Sequence, residues 1–385
     1  MEVTRLTVVA RILFGVTVPM TAQAFLKPSF SALVSDKWDV HLACSPDPGF
    51  QELSEIPGVT LHSIPMQRNP SPLKDLVSLY RWNKLVQKVK PDIIVGSTPK
   101  AALLSMLSGK WNKIPARVYH ARGFRAEGLS GIKGKIALMA ERRTAKAATR
   151  VLCDSHSLRN ALVAASCLNA NAGIVLGAGS CCGVDTSHFR PPSPKERNDA
   201  RASLEFPDTD FVVGFVGRVT EDKGVSELVQ AVIDVNKTHN QVKLILVGPD
   251  EGGLDLLVNV PADSPVRYLG STSDVRSAYW ACDVFALPSY REGFPIAPLE
   301  AQSCGLPLIT TTATGCIDSQ PPANSRLTVP PKDPDAIAKA ITFLLTEPVS
   351  PTTMGGQARD WVVQNFTSSD VLQRHIEFLK GQVVK

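Results

Sequence analysis

Short apolar runs alternate with amphipathic stretches along the whole chain. One such stretch, Leu73–Val89, has apolar residues at 73, 76, 77, 79, 80, 85, 86 and 89, which predicts a helix with one apolar face. Repeated strand–helix units of this kind are typical of parallel sheets joined by right-handed crossovers. In the first half the apolar runs predict strands at Leu6–Ala10, Val40–Ser45, Val59–Ile64, Asp92–Val95, Ala116–His120 and Val151–Asp154.

A second strand–helix series follows the rigid, polar segment Arg190–Pro194, which we interpret as a linker. A chain of 385 residues is long enough for two domains, each with its own core. The pattern therefore predicts an α/β protein made of two parallel-sheet domains. In the second series it predicts a helix from Val225 to about Lys237 and strands at Phe211–Gly217, Lys243–Gly248, Val266–Gly270, Asp283–Leu287 and Leu308–Thr311.

Composition is that of a soluble globular protein, with 44% hydrophobic and 20% charged residues. No apolar run approaches the roughly 18–20 residues that span a bilayer. Leu6–Ala10 is interrupted by Arg11 and makes a poor signal peptide, so we read it as a buried strand. The eight cysteines are scattered without a C-x-x-C pair, which indicates a reducing, cytoplasmic compartment.

The net charge of +5 hides an asymmetry between the two halves. Residues 1–195 carry 25 Lys and Arg against 12 Asp and Glu, a balance of +13, whereas the remainder carries 16 against 24, a balance of −8. A basic half suggests an anionic partner, either an anionic membrane surface or a phosphorylated acceptor. A solvated basic surface without a partner is the alternative. No nucleic-acid-reading motif is present, so nucleic acid is not expected as a partner.

The segment from Tyr290 to Glu300 carries the strongest chemical signal. It reads as a strand, a loop broken by Gly293 and Pro295, and a helix, with Glu292 in the loop and Glu300 in the helix. Loops at the carboxyl ends of strands are where open α/β sheets bind ligands, and a carboxylate there can accept hydroxyl hydrogen bonds from a sugar. The alternative is that Glu292 is solvent-exposed and Glu300 is an ordinary helix carboxylate.

A second signal follows the strand Phe211–Gly217. Arg218 and Lys223 come directly after it, and Gly224 precedes a helix. Arg can hold two phosphate oxygens, Lys adds a point charge, and the amides of a helix start favour anions. This arrangement fits a diphosphate, although it is neither a Walker loop nor a G-x-G-x-x-G fingerprint. Surface cations beside a turn are the alternative.

Together these motifs closely resemble glycosyltransferase family 4, and the resemblance covers essentially the whole chain. It rests on Gly217-Arg218 with Lys223-Gly224, on Leu246–Gly248 and Tyr268–Gly270, and on Leu287–Pro295 with Leu299–Ala301. The family consists of retaining, nucleotide-sugar-dependent enzymes with the GT-B fold, in which two Rossmann-like domains face a cleft. In the first half the resemblance is to bacterial members that extend lipid-linked surface polysaccharides, through Ile64–Arg68, Ser71–Asp75, Lys90–Ile93, Thr98–Ala101 and Gly179–Asp185.

The resemblance implies roles for the donor-side residues. Arg218 and Lys223 would hold the donor diphosphate and offset the charge on the departing nucleotide, and Glu292 would complete the catalytic set. The backbone of the Gly293-Phe294-Pro295 turn would help to hold the donor sugar. Two further residue types complete the implied donor site, namely the ribose-binding carboxylate Glu300 and the backbone glycines Gly217 and Gly270.

The acceptor side departs from the family pattern in two places. Many members have a His before a Gly near the reacting sugar, and here Arg122 takes that position. Arg cannot act as a base near neutral pH, so Arg122 would bind phosphate or a sugar hydroxyl. His120 is predicted on the same side as Arg122, or as a satisfied core histidine. The first loop, with Gly15 and Thr17, lacks the paired glycines of the wider family.

The expected enzyme is a hexosyltransferase that uses no cofactor and requires no metal, because the two cations replace it. Asp208-Thr-Asp210 resembles a metal-binding D-x-D motif but precedes a strand, so we read it as a polar turn. The donor would be a UDP-sugar or a GDP-sugar, and the acceptor a polyprenyl-diphosphate-linked saccharide at the inner membrane face. A nucleotide-sugar epimerase and a silent binding subunit are the alternatives. The expected ranges are an acceptor domain at 1–190, a donor domain at 191–360, and a segment at 361–385 that returns to the first domain.

Overall fold

A computed structural model of the chain describes residues 10–67, 69–253, 264–347 and 351–383. The chain divides into two compact units. One consists of Met1–Cys182 with Val371–Lys385, and the other of Gly183–Asp370. The division falls before the proline-rich segment that we read as a linker, and the last part of the chain returns to the first unit.

A parallel sheet of six strands forms the centre of the first unit, with the strand order β3-β2-β1-β4-β5-β6. Among the described residues, eight α-helices surround the sheet. The strands are β1 Arg11–Gly15, β2 Asp39–Cys44, β3 Val59–Ser63, β4 Ile93–Ser97, β5 Ala116–Ala121 and β6 Arg150–Cys153. The helices are α1 Pro19–Phe25, α2 Lys27–Ser35, α3 Phe50–Ser54, α4 Pro72–Val89, α5 Pro99–Trp111, α6 Gly131–Ala147, α7 His156–Ala164 and, from the end of the chain, α14 Ser368–Lys380.

The second unit repeats this plan with six parallel strands in the order β12-β11-β10-β7-β8-β9. Its strands are β7 Phe211–Val216, β8 Val242–Val247, β9 Val266–Tyr268, β10 Val284–Leu287, β11 Leu308–Thr311 and β12 Thr328–Val329. Its helices are α8 Pro194–Ser203, α9 Val225–Asn236, α10 Arg276–Ala281, α11 Ala297–Ser303, α12 Pro334–Thr346 and α13 Pro351–Asn365.

Both sheets have the doubly wound order in which the chain starts in the middle and winds outward in both directions. The order reverses between β1 and β4 in the first unit and between β7 and β10 in the second. Ligands of such sheets bind outside the carboxyl ends of the strands at this reversal. The fold thus directs attention to the loops that follow these four strands, and the predicted α/β class with two parallel-sheet domains is confirmed.

The first strand differs from the prediction. Residues 6–9 lie outside the described residues, and β1 begins at Arg11, the charge that we took as the end of the apolar run. The strand accommodates Arg11 because its guanidinium is bonded at both ends. Its Nε donates to Asp39 at 2.5 Å, and its Nη1 donates to the carbonyl oxygen of Val89 at 2.6 Å.

Helix α4 forms where it was predicted, but its apolar residues do not share one face. Trp82, Val86 and Val89 are buried against the sheet, whereas Leu73 and Tyr80 are 82% and 58% exposed. The prediction of a single face was wrong because the eight positions divide between opposite sides of a helix with 3.6 residues per turn. One side packs into the core and the other meets solvent.

The segment read as a linker is tied to the second unit. The carbonyl oxygen of Arg190 accepts a hydrogen bond from the indole of Trp280 at 3.0 Å. Ser193 and Glu196 form a capping box at the start of α8, and the Arg190 guanidinium binds Glu196 at 2.7 Å. Proline at the first helical turn therefore starts a helix here instead of marking a free connection.

All eight cysteines are free thiols, and Cys44 and Cys153 are buried. Burial raises the pKa of both to about 12, so they are inert as nucleophiles at neutral pH. Among the helices that the structure describes, none is both long and apolar enough to cross a membrane.

Candidate active site

The loops after β7 and β10 are joined at the sheet reversal of the second unit. Gly224 has a left-handed backbone with φ of 70°, and a Cβ there would lie 2.2 Å from the carbonyl oxygen of Pro288. Only glycine permits this approach. The main-chain amide of Tyr290 also donates to the carbonyl oxygen of Asp222 at 2.9 Å. The residues that follow the two strands are consequently held side by side.

Lys223 and Glu292 meet in this joined pair of loops. The Lys223 ammonium donates to Glu292 Oε1, and the two side chains are 14% and 15% exposed. The Ser289 hydroxyl donates to the same oxygen at 2.9 Å, and the Glu292 amide donates to the carbonyl oxygen of Thr314 at 2.7 Å. Glu292 is therefore not a solvent-exposed carboxylate, and the structure brings together two of the three residues predicted to be catalytic.

A third loop, after β11, closes over the Glu292–Gly293 backbone. Gly315 has φ of 76°, and a Cβ there would lie 2.5 Å from the carbonyl oxygen of Glu292. On the other side, the Phe294 ring packs against Phe366 with a centroid distance of 5.2 Å, and Pro295 is buried. The Phe294 side chain is committed to the core, so its backbone is the part that remains for a ligand.

Arg218 is directed differently from Lys223. Its side chain is 47% exposed, and its Nη1 donates to Glu251 in the loop after β8 at 2.6 Å. The cations nevertheless share an electrostatic neighbourhood around Asp222. Burial works to raise the pKa of Asp222, but a hydrogen bond from Thr220 and the charges of Lys223, Arg291 and Arg218 hold it below its ordinary value. The loop after β7 is thus a cluster of positive charge.

Two of the predicted donor-side glycines, Gly217 and Gly270, follow β7 and β9, the two strands on either side of β8. The Gly217 amide donates to the carbonyl oxygen of Val247 at 2.9 Å, and the Gly248 amide donates to the carbonyl oxygen of Gly270 at 2.9 Å. The chain turns out of β7, β8 and β9 at neighbouring points through these bonds. The result is an edge of exposed backbone without side chains beside the cations.

Glu300 lies in α11 and is not an ordinary surface carboxylate. Its Oε2 accepts a hydrogen bond from the hydroxyl of Tyr279, a buried residue of α10, at 2.8 Å. Burial raises the pKa of Glu300, while the Tyr279 hydroxyl and the nearby His188 oppose the shift. A half-buried carboxylate held by a tyrosine is a fixed acceptor, which suits binding of hydroxyl groups.

The sheet reversal of the first unit is occupied by two threonines. Thr17 follows β1, and its main-chain amide donates to Thr98 Oγ1 at 3.0 Å; the two hydroxyl oxygens are 2.8 Å apart. Thr98 follows β4 with φ of 66°, which is rare for a β-branched residue. Gly15, predicted in the first loop, instead ends β1, where a Cβ would lie 2.7 Å from the Trp82 ring. Gly15 is therefore a packing position.

His120 and Asp154 form a buried pair at the carboxyl ends of β5 and β6. Their Nε2–Oδ1 distance is 2.6 Å, and their side chains are 5% and 4% exposed. Burial lowers the pKa of His120, although Asp154 opposes the shift. Burial works to raise the pKa of Asp154, but His120 and Arg122 outweigh it and lower the pKa. The arrangement is a neutral histidine that donates to a carboxylate, with Arg122 supplying the compensating charge.

Arg122 has unused hydrogen-bonding capacity. Its Nε and Nη1 are buried and have no partner among the described residues. The guanidinium carbon lies 5.3 Å from the centroid of the Phe25 ring. Buried guanidinium donors that the protein leaves unpaired are costly, so the position favours an anion or a hydroxyl as partner. His375 of α14 lies next to this group, with its ring 5.6 Å from that of His120.

The D-x-D look-alike, Asp208-Thr-Asp210, directly precedes β7. Asp208 is exposed in the turn before β7, 4.0 Å from Arg201, and the Asp210 carbonyl oxygen accepts a hydrogen bond from Arg201. This is the polar turn that the sequence predicted. Within the described ranges, no group of three or more His, Cys, Asp or Glu side chains is placed to hold a metal ion.

Sequence analysis missed several residues around Glu300 in the second unit and around Thr17 and His120 in the first unit. Asp154 and Thr98 each follow a strand at its carboxyl end, so their position beside a predicted strand was an available signal. Tyr279 and His375 gave no such signal, because each comes from a helix distant in sequence and reaches the site only through the packing of the fold.

Two family descriptions match the chain. Residues 196–361 match "Glycosyl transferases group 1". Residues 26–176 match "Glycosyl transferase 4-like domain".

Related proteins match along much of the chain. The capsular polysaccharide biosynthesis glycosyltransferase CapM of Staphylococcus aureus is 32% identical over 355 residues, which cover 90% of each chain. The UDP-Gal:alpha-D-GlcNAc-diphosphoundecaprenol alpha-1,3-galactosyltransferase of Escherichia coli is 28% identical over 296 residues, 74% of each chain. Among solved structures, Anabaena Alr3699/HepE in complex with UDP superposes with a TM-score of 0.78 at 21% identity, over 97% of this chain and all of that one.

Proposed function

The chain belongs to the family 4 glycosyltransferases of the GT-B fold, and we propose that it moves a hexose, with retention, from a nucleotide sugar to a lipid-linked saccharide. A UDP-sugar is the favoured donor and a GDP-sugar the alternative. The acceptor group is a hydroxyl, and the product is an intermediate of cell-surface polysaccharide synthesis. The observation that carries the proposal is the Lys223–Glu292 pair, held by three loops at the sheet reversal of the second unit.

The donor diphosphate would bind at the positive loop after β7. Lys223 is the more buried cation and Arg218 the more exposed one, and its partner Glu251 is itself 46% exposed. Both would offset the charge that develops on the departing nucleotide, which is the electrostatic contribution that dominates many enzymes. Glu292 would exchange its contact with Lys223 for a sugar hydroxyl, while the Gly293-Phe294-Pro295 backbone supports the sugar.

The nucleoside would lie along the edge formed by Gly217 and Gly270, with Glu300 accepting from the ribose hydroxyls. This assignment uses the two glycines after β7 and β9, where a side chain would otherwise fill the space. Tyr279 supports the assignment because it fixes one Glu300 oxygen in place.

The acceptor would bind in the first unit, with Arg122 on its phosphate or on a sugar hydroxyl. The unpaired Nε and Nη1 of Arg122 support this role. His120 is fully engaged by Asp154 and would position Arg122 without contacting the acceptor itself. Thr17 would contribute at the neighbouring sheet reversal, through the loop that its bond to Thr98 fixes.

The relatives support the choice of substrates. The name of the E. coli relative states a UDP-galactose donor and a diphosphoundecaprenol-linked acceptor, and that of the S. aureus relative states a role in capsular polysaccharide synthesis. A lipid-linked acceptor requires the enzyme to work at a membrane surface, for which the +13 balance of the first 195 residues is suited. We therefore place the protein in the cytoplasm, peripheral to the inner face of the membrane.

Release of free nucleoside diphosphate on addition of acceptor tests the proposal. UDP- and GDP-hexoses are incubated with undecaprenyl-diphosphate-linked saccharides, and the anomeric configuration of the product is read by NMR. Acceptor-dependent release with retained configuration is expected. Nucleotide binding without turnover would favour the silent binding subunit, and interconversion of the donor without transfer would favour the epimerase.

A further inference from the structure

Helices α4, α5 and α6 cover one face of the first sheet, with α5 in contact with both neighbours. Their inner side chains join a single core cluster with the sheet. Their outer surface is unusually apolar for a surface in contact with water. We call this surface the α4–α6 face and define it by Leu73, Leu76, Tyr80, Trp111, Ile132 and Ile136, of which Leu73 and Ile132 are the most exposed at 82% and 78%.

The exposed apolar side chains form regular stripes. In α4, Leu73, Leu76 and Tyr80 recur at helical spacing, and the next position of the stripe is Lys84, whose ammonium lies 4.8 Å from the centroid of the Tyr80 ring. In α6, Ile132 and Ile136 begin a second stripe at the same spacing. Arg143 lies about two turns beyond Ile136 on that stripe and is exposed. In both helices the stripe therefore begins with apolar residues near the N-terminus and ends with a cation toward the C-terminus.

A groove between α4 and α5 joins the stripe to the end of α5. Its cavity volume is about 460 Å³. The groove is lined by Leu76, Val77, Leu79, Tyr80, Asn83 and Trp111. Trp and Tyr side chains, with an apolar body and a polar tip, are enriched where proteins meet the headgroup region of a bilayer.

The segment that carries the face is strongly basic. Residues 72–147 contain 16 Lys and Arg but four Asp and Glu, so this segment holds nearly the whole excess of the basic half. Three of the acids are engaged elsewhere. Asp75 binds Lys100 at 2.5 Å, Asp92 accepts from the Arg11 amide at 2.8 Å, and Glu141 is buried against Tyr119.

We propose that the α4–α6 face docks on an anionic lipid bilayer, with its apolar stripes in the headgroup–acyl boundary and its cations on lipid phosphates. The combination of exposed apolar residues and flanking cations on helices parallel to a surface is that of interfacial binding, in which apolar burial and attraction to anionic lipid add together. A protein partner for this face would need a strongly acidic surface that is also apolar. The inference rests on the proposed lipid-linked acceptor, for which it supplies the docking surface.

The test is flotation of the full chain with vesicles of phosphatidylcholine alone or with phosphatidylglycerol. Binding is expected only with phosphatidylglycerol, and added salt should weaken it because exposed charges are screened over about 8 Å at physiological ionic strength. The variant Leu73→Ser/Ile132→Ser should bind about tenfold more weakly or worse, because both side chains leave water on docking. Lys84→Gln/Arg143→Gln, which removes the two stripe cations, should retain binding at low salt and show a smaller salt dependence.

Met20→Ser is the matched control, since Met20 of α1 is 66% exposed but lies outside the face. It should bind as the parent does. Equal vesicle binding by the Leu73→Ser/Ile132→Ser variant and the parent would overturn the proposal. Vesicle binding that does not depend on phosphatidylglycerol would also overturn it. So would a parent protein that is oligomeric in solution and that dissociates in the Leu73→Ser/Ile132→Ser variant, because the face would then be a protein interface. Binding of UDP, measured on the same variants, separates this outcome from failure of the proposed function, because UDP affinity should not change.

Discussion

At the carboxyl ends of their strands both sheets carry a cationic or protonatable side chain paired with a carboxylate, and the pairs Lys223–Glu292 and His120–Asp154 differ in burial. Lys223 and Glu292 of the second unit are 14% and 15% exposed, whereas His120 and Asp154 of the first are 5% and 4% exposed. An ion pair that solvent reaches can exchange partners with a ligand. A pair sealed in the core cannot, because each partner would be left buried and unpaired.

The surroundings of the pairs support this difference. Glu292 is held by Ser289 and by its own amide, so it keeps its place when Lys223 turns to another anion. Asp154 is bonded to His120 and its charge is balanced by Arg122, whose Nε and Nη1 have no partner among the described residues. We infer that the Lys223–Glu292 pair contacts the ligand directly and that the His120–Asp154 pair positions the neighbouring Arg122.

The largest expected effect is on stability, from Asp154→Ala. Removal of one partner of a buried pair costs about 3–5 kcal/mol in the free energy of unfolding. The control is Asp36→Ala, because Asp36 binds Lys380 at 2.6 Å in the same unit while both remain more than 40% exposed, and such pairs contribute about 0–1 kcal/mol. Urea unfolding measures both. If the two variants lose the same small amount, the His120–Asp154 pair does not stabilise the core.

The next effect is on catalysis, from Lys223→Ala and Arg218→Ala. Each should lose about 2–4 kcal/mol of transition-state stabilisation, as for removal of one electrostatic donor, and each should still fold. Initial rates of nucleotide release measure the loss. Lys237→Ala is the control, because Lys237 pairs with Asp234 at 2.6 Å on the surface of the same unit. Turnover at the parental rate in both test variants would show that the diphosphate assignment is wrong.

A smaller effect concerns pH. Burial, together with His120, lowers the pKa of His375 to about 4 from its ordinary value of 6.5. The unfolded chain therefore binds this proton first, so His375 favours folding above pH 6.5 and the advantage is lost as the pH falls toward 4, by up to about 3 kcal/mol. His375→Gln should flatten the acid side of the stability profile relative to the parent.

Other titratable groups also contribute to the dependence of stability on pH. His62 also has a pKa lowered to about 4, by burial and by His41, and it shifts stability in the same direction. Burial raises the pKa of Glu141 to about 7, which acts in the opposite direction. Both are present in parent and variant, so the difference between the two profiles isolates His375. Parallel profiles would contradict the placement of His375 beside the His120–Asp154 pair.

No effect is expected from removal of divalent ions. Lys223 and Arg218 would offset the charge of the proposed diphosphate, so nucleotide release should be the same in excess EDTA and with added magnesium or manganese. Loss of nearly all activity in EDTA, restored by either ion, would show that Arg218 and Lys223 do not replace a metal.

The sequence predicted the donor-side group better than the acceptor-side group for a physical reason. Lys223 and Glu292 lie in short loops directly after strands, so strand periodicity and turn residues place both. The bond between Lys223 and Glu292 and the turn of Arg218 toward Glu251 could not be predicted, because they depend on how three loops pack. In the first unit, His375 reaches its neighbours only after the chain returns from the second unit, and no local pattern encodes that return.

A crystal structure with bound UDP tests the central claim most directly. The account predicts that the Lys223 ammonium and the Arg218 guanidinium lie about 3 Å from diphosphate oxygens, with the Glu292 carboxylate released from Lys223 and the Glu300 carboxylate on the ribose. A diphosphate bound away from the loops after β7 and β10, with the Lys223–Glu292 pair intact, would contradict it.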